Sequence, residues 1–179
     1  MKFKTILADP PYNETGGGRI KRGADRHYQL MKTKDIIALS DMVKQITDKN
    51  AHCYLWVTNN HLKDGLDILE AWGFRYITMI TWIKDRQGLG QYYRGLTEHI
   101  LFGVKGMLPY KLLNGKRQQG LTGYFHKKSK HSEKPELFRK VIEKVSYPPY
   151  IELFARKKTE NWSVWGNEIP DEIQLKIGD

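Results

Sequence analysis

The sequence predicts an α/β fold: a mostly parallel sheet with helices on both faces. Two observations predict it. Apolar runs of strand length alternate with segments of helical periodicity, the pattern of a sheet whose strands are joined by crossover helices. The run Ala51-His-Cys-Tyr-Leu-Trp-Val57 is nearly continuous in its apolar character, as expected of a strand covered on both faces. The sequence contains no internal repeat, low-complexity tract or Pro/Gly-rich linker, so residues 1–179 are expected to form a single domain.

The elements follow in order. Residues 2–8 read as a first strand, and a long loop then runs to about Met31. Ile36, Ile37, Leu39 and Val43 give a mixed apolar face and predict helical structure over 33–48, with Thr33 or Ser40 capping short helical turns. After the strand 51–57, Leu62, Leu66, Leu69 and Trp72 recur at helical spacing up to Gly73. Phe74–Ile83 is rich in β-branched and aromatic residues, and Gly88-Leu-Gly90 marks a turn before a strand at 97–104. Leu137, Phe138, Val141, Ile142 and Val145 predict an amphipathic helix leading through Pro148-Pro149 to a strand at 151–154. A last short strand is expected at Trp162–Trp165.

Composition limits the partners. Thirty Lys+Arg against twenty Asp+Glu give a net charge of +10 and favour polyanions. Lys105, Lys111, Lys116, Arg117, Lys127, Lys128, Lys130 and Lys134 face only Glu133, a net +7, with Tyr110, Tyr124 and Phe125 as stacking surfaces. A second excess lies at Arg19, Lys21, Arg22, Arg26, Lys32 and Lys34. Nucleic acid is the natural partner, although a basic run is also what a solvated face looks like. Cys53 is the sole cysteine and reads as a small buried hydrophobe. No apolar run reaches the roughly 20 residues of a membrane span, and residues near Met1 lack a signal-peptide core, so a cytoplasmic location is expected. The six histidines show no zinc-ligand spacing, and no metal is expected. His99, beside Glu98, reads as a hydrogen-bonded structural histidine.

Asp9-Pro10-Pro11-Tyr12, where the first strand would end, carries the chemistry. An exocyclic amine whose lone pair is delocalised into a ring becomes nucleophilic when two acceptors bind its N–H bonds. The Asp9 carboxylate and the Pro10 carbonyl suit that task, with Tyr12 free to stack on the base. The alternative reading is a plain Pro-Pro turn. Tyr147-Pro148-Pro149-Tyr150 has the same prolines but no acid at its head, and it precedes an apolar run; it reads as structural.

With these residues in this order, the chain resembles the MT-A70 family of S-adenosylmethionine-dependent adenine-N6 methyltransferases, especially small phage and bacterial members. The segments that carry the likeness are Ala8–Tyr12, His27-Tyr28-x-x-Met31, Leu55–Asn59, Trp72–Tyr76, Thr81-Trp-x-Lys84, Glu98-His99, His131-Ser-x-Lys-Pro135, Glu152–Arg156 and Trp165–Glu168. The resemblance implies a Rossmann-like methyltransferase fold in permuted order, catalytic motif first, with S-adenosylmethionine as cofactor. It implies that Asp9 to Tyr12 hold the target adenine and that Asp9 lies beside the methionine part of the cofactor. Lys134 would meet the cofactor carboxylate, Arg156 its ribose, and Asn167 with Glu168 its ribose or adenine. Tyr28 would stand in a gate loop near the base. Arg94, Lys127 and Lys128 would touch the nucleic acid backbone.

Each assignment has a plainer counterpart: a helix-start lysine for Lys134, a surface ion pair for Arg156, a turn residue for Asn167, loop packing for Tyr28 and a strand cap for Arg94. Many relatives have tryptophan where this chain has Tyr12. With eight residues before Asp9, the cofactor adenine pocket is expected from Lys2–Lys4, the C-terminal segment or another subunit. DNA is expected over RNA on the likeness to phage and bacterial members. The 105–131 loop is expected to be the sizeable recognition element, so specificity should be short or shared across a homodimer. The competing classes are a catalytically silent nucleic-acid-binding subunit and a methyltransferase of protein side-chain amides.

Overall fold

The structure, a computed structural model, describes residues 1–13, 30–88, 90, 92–107, 110–127 and 134–166. Strands β1 (Phe3–Ala8), β2 (Thr47–Val57), β3 (Arg75–Ile83), β4 (Thr97–Lys105), β7 (Gly123–Phe125), β8 (Tyr150–Leu153) and β9 (Trp162–Trp165) form one seven-stranded sheet in the order β7-β3-β4-β2-β1-β8-β9. The pairs β1/β2, β1/β8, β8/β9 and β3/β7 are parallel, and β4 alone runs antiparallel to its neighbours β2 and β3. The mostly parallel α/β sheet expected from the sequence is the one observed.

Alternation along the strands sends side chains to two cores. Ile6, Ala8, Cys53, Leu55 and Val57 join helices α1 (Thr33–Ala38), α2 (Ser40–Ile46) and α3 (Leu62–Ala71) on one face. Leu7, Tyr54, Trp56, Trp82 and Ile100 join helix α4 (Leu137–Val145) on the other. Ile36, Cys53, Leu55, Ile68, Leu69 and Ile100 are fully buried, which explains why β2 reads as a continuous apolar run.

Three local readings need correction. The helical stretch expected over 33–48 consists of two short helices that meet at Leu39, and it ends sooner, because β2 already begins at Thr47, pairing with Phe3. Neither Thr33 nor Ser40 caps: each is the first helical residue, the N-cap positions are Lys32 and Leu39, and neither end has a side-chain cap. The basic segment expected as loop contains β7 and a hairpin of β5 (Leu112–Leu113) and β6 (Lys116–Arg117). Its two-residue turn, Asn114-Gly115, has φ of 50° and 72°, the positive values that such hairpin turns require.

Other boundaries follow from the residues. Helix α3 stops in a Schellman arrangement: Gly73 takes φ 86°, its N–H donates to Glu70, and Phe74 N–H donates to Leu69. The second Pro-Pro segment is structural, as expected. The Pro149 carbonyl accepts from Lys4 and Thr5 N–H, the Thr5 hydroxyl donates to the Tyr147 carbonyl at 2.7 Å, and the Tyr150 hydroxyl donates to the Ser146 carbonyl at 2.9 Å. This stitches β8 to β1 in register and sets their carboxyl ends side by side, Ala8 opposite Leu153.

Candidate functional site

Asp9 is the first residue past β1, on the strand end flanked by β2 and β8. Its N–H reaches the Leu153 carbonyl at 3.4 Å, so the backbone is still tied to β8 where the motif begins. The two prolines then turn the chain. The Tyr12 N–H donates to the Pro10 carbonyl at 2.9 Å, and the Met31 N–H donates to the Pro11 carbonyl at 2.8 Å. Pro10 therefore keeps one carbonyl lone pair for a further donor.

The Asp9 carboxylate lies 2.9 Å from the Lys134 ammonium, which also lies 3.2 Å from Glu98. Glu98 in turn pairs with Lys84. Four charges thus form a neutral chain, Asp9–Lys134–Glu98–Lys84, with each side chain at most 19% exposed. Beneath it lie Trp56, 5.2 Å from Lys134 Nζ, and Trp82, 5.0 Å from Lys84 Nζ. Burial alone would lower the Lys134 pKa, but Asp9 and Glu98 outweigh it and hold the ammonium above the ordinary lysine value. Burial would raise Glu98, yet Lys134 and Lys84 together keep it below the usual carboxylate range. Asp9 and Lys134 are predicted by the sequence as site residues, whereas Glu98 and Lys84 are assigned no role by it. The available signal was a charged residue at the site end of each of two apolar strands.

Tyr12 is only 7% exposed. Its hydroxyl donates to the Trp56 carbonyl at 3.1 Å, and its ring stacks on His61, with centroids 4.7 Å apart and planes at 16°. Burial first, and Asp9 next, push the phenol pKa well above its ordinary value, so Tyr12 is a neutral donor. With one face on His61 and the residue packed in the core beneath the motif, the ring is buried and not presented as the open stacking surface expected from the sequence.

The remaining expected residues divide by position. Arg156 follows β8 and is half-buried at the same sheet end as Asp9. Lys127 is exposed just past the carboxyl end of β7, where the His126 N–H donates to the Ile83 carbonyl. Arg94 is exposed in the β3–β4 connection. Tyr28, Lys128, Asn167 and Glu168 lie outside the described residues. His99 is structural, as expected: its Nε2–H donates to Asn59 Oδ1 at 2.7 Å, its Nδ1 accepts from the Thr81 hydroxyl at 3.0 Å, and burial lowers its pKa. Among the described residues no group of His, Cys, Asp and Glu could hold a metal ion.

The hairpin departs from expectation. The Lys111 ammonium donates to the Glu143 carbonyl near the end of α4, and the Leu112 N–H donates to the Tyr147 hydroxyl. Lys134 precedes the start of that helix, which is roughly 13 Å long at nine residues. The hairpin base therefore sits at the amino end of β8, and β7 carries the chain back to Lys127 at the site end.

The donor set suits a methionine-like group: an ammonium to meet a carboxylate and two acidic side chains to meet an amine or a sulfonium. Comparison with known proteins places the chain in a family. The MT-A70 family profile matches residues 3–168. The type II methyltransferase M.MunI of Mycoplasma sp. is 30% identical over 95% of this chain and 79% of its own. The N(6)-adenosine-methyltransferase MT-A70-like protein of Drosophila melanogaster is 29% identical over 97% of this chain but 28% of its own length. The catalytic subunit METTL3 of Homo sapiens is 27% identical over 97% of this chain and 29% of its own, so the chain spans under a third of these two animal relatives. The chain belongs to the MT-A70 family and is a methyltransferase.

Proposed function

We propose that the protein transfers a methyl group from S-adenosylmethionine to the N6 amine of adenine in DNA. The observation that carries this reading is the Asp9 carboxylate at the carboxyl end of β1, fixed by Lys134 and followed by a proline carbonyl with a lone pair to spare. When bound, S-adenosylmethionine supplies a methyl group activated by a cationic sulfur. Asp9 and the Pro10 carbonyl accept the two amine N–H bonds and orient the nitrogen lone pair. Lys134 binds the cofactor carboxylate, and Arg156 its ribose. No strong base is required, because the nitrogen becomes acidic once methylated and releases its proton afterwards.

Stacking hides the adenine amine from in-line approach in duplex DNA, so the base is flipped or the strand is single. Lys127 and Arg94, both exposed, are the residues that meet the backbone in this reading. The resemblance to a type II methyltransferase over most of both chains supports DNA. RNA is the second reading, favoured by the N(6)-adenosine-methyltransferase names of the animal relatives. A silent binding subunit has no need of the intact Asp9–Lys134 pair. Incubating the protein with methyl-labelled cofactor and DNA, RNA or protein tests the reading: label is expected at adenine N6 in DNA, and label confined to protein would refute it.

A further inference from the structure

The connection from β3 to β4 leaves the sheet at the site end, starting from Lys84, the last member of the charge chain that begins at Asp9. Its neck is closed. The Lys84 N–H donates to the Leu96 carbonyl at 2.9 Å, and the Gly88 N–H donates to the Gly95 carbonyl at 2.6 Å. Gly90 approaches the Tyr93 carbonyl so closely that a Cβ there would collide with it, so the tip turns tightly back on itself. On this tip Tyr92 and Tyr93 are each 92% exposed, the most exposed tyrosines among the described residues, and both faces of both rings are open. Rings so placed add nothing to the core.

Charge lies beside them. Arg94 follows the pair and is exposed, and Lys127 is exposed just past β7, whose Phe125 is in register with Ile83 at the end of β3. Phe125 is itself 65% exposed, a third ring on the same rim. Open aromatic faces next to exposed cations match the chemistry of an unpaired nucleic acid strand: bases stack on the rings whatever their identity, and phosphates meet the cations. A duplex offers no such base faces, because neighbouring pairs cover them.

We propose that Tyr92 and Tyr93 are a stacking surface for unpaired bases of the DNA strand next to the target adenine, with Arg94 and Lys127 on the adjoining phosphates. The inference rests on the nucleic-acid reading given above and adds to it the residues that hold the strand outside the Asp9 site. Flipping a base or separating the strands costs stacking, and the two rings restore part of it at the rim.

The test measures binding, by fluorescence anisotropy at one fixed salt concentration, of a mixed-sequence single-stranded oligonucleotide and of an abasic strand of the same length. The paired substitutions Tyr92→Ala and Tyr93→Ala should weaken binding of the mixed strand about tenfold or more and of the abasic strand less than about twofold. The pair Tyr92→Phe and Tyr93→Phe, which keeps both rings, should bind both strands as the wild type does. Arg94→Ala should weaken both strands alike and reduce the slope of log affinity against log salt by about 0.7. Because the rings are exposed, the alanine pair should match the wild type in thermal midpoint and in calorimetric affinity for S-adenosylhomocysteine.

Equal losses on the two strands overturn the inference, as does no loss on either. A wild type that binds the mixed strand no more tightly than the abasic one overturns it too. So does an alanine pair with normal DNA affinity and an altered oligomeric state in sedimentation, since the loop would then be a contact between proteins. Absence of methyl transfer by a wild type that still shows the base-dependent loss would remove the function proposed above and leave the stacking surface standing.

Discussion

The Asp9 carboxylate and the Lys134 ammonium lie 2.9 Å apart, although 125 positions separate them in the sequence. One sits just past β1 and the other just before α4, on the face of the sheet that α4 covers. Lys134 also leans on Glu98, so its removal disturbs two carboxylates at once. Lys134→Met is expected to weaken S-adenosylhomocysteine binding at least tenfold by calorimetry, with a smaller effect on kcat at saturating cofactor.

Glu98 ties the site to pH. Its folded pKa lies below its unfolded value because Lys134 and Lys84 outweigh burial. The stability it contributes is present above the ordinary glutamate value of about 4.3 and is lost as pH falls through the depressed folded value. Denaturant midpoints measured from pH 7 down to pH 3 should therefore fall less steeply in Glu98→Gln than in the wild type.

Arg139 grips Glu152 with two hydrogen bonds, at 2.8 and 2.7 Å, where both residues are under a tenth exposed. Removing one partner leaves a buried charge without its counterion. Arg139→Met is expected to cost about 3–5 kcal/mol of stability by denaturant unfolding.

Gly65 lets α3 lie close to the sheet: a Cβ there would stand 2.4 Å from Val57 Cγ1 and 2.8 Å from Leu101 Cδ1. Gly65→Ala should cost about 1–3 kcal/mol through overpacking, measured as a lowered midpoint with an unchanged denaturant slope.

Lys127 and Lys116 separate the two ends of the basic segment. Lys127→Ala should weaken DNA binding and reduce the slope of log affinity against log salt by about 1. Lys116→Ala, on the hairpin fastened near the far end of α4, should leave that slope within error of the wild type.

Much of this fold was legible because the residues that decide it are local in the chain. The β2 run, the α4 rhythm and the Gly73 stop each announce an element within a dozen residues. The break at Leu39 was not legible, since the apolar periodicity passes through it and only pairing of Thr47 with Phe3 shows where the helical stretch ends. The hairpin was hidden by a charge pattern that reads as loop, although Asn114-Gly115 is a turn signal. At the site, Asp9 and Lys134 could be picked out by motif. The Glu98–Lys84 extension and the His61–Tyr12 stack arise from strands and loops meeting in space, which a linear pattern does not encode.

The central claim is that Asp9 holds the adenine amine for methyl transfer. Its most direct test is a single-turnover comparison of wild type and Asp9→Ala, using methyl-labelled cofactor and DNA, with N6-methyladenine quantified by mass spectrometry. The account predicts N6-methyladenine from the wild type and none above background from Asp9→Ala, which should still bind cofactor weakly. Equal yields from the two proteins would contradict it.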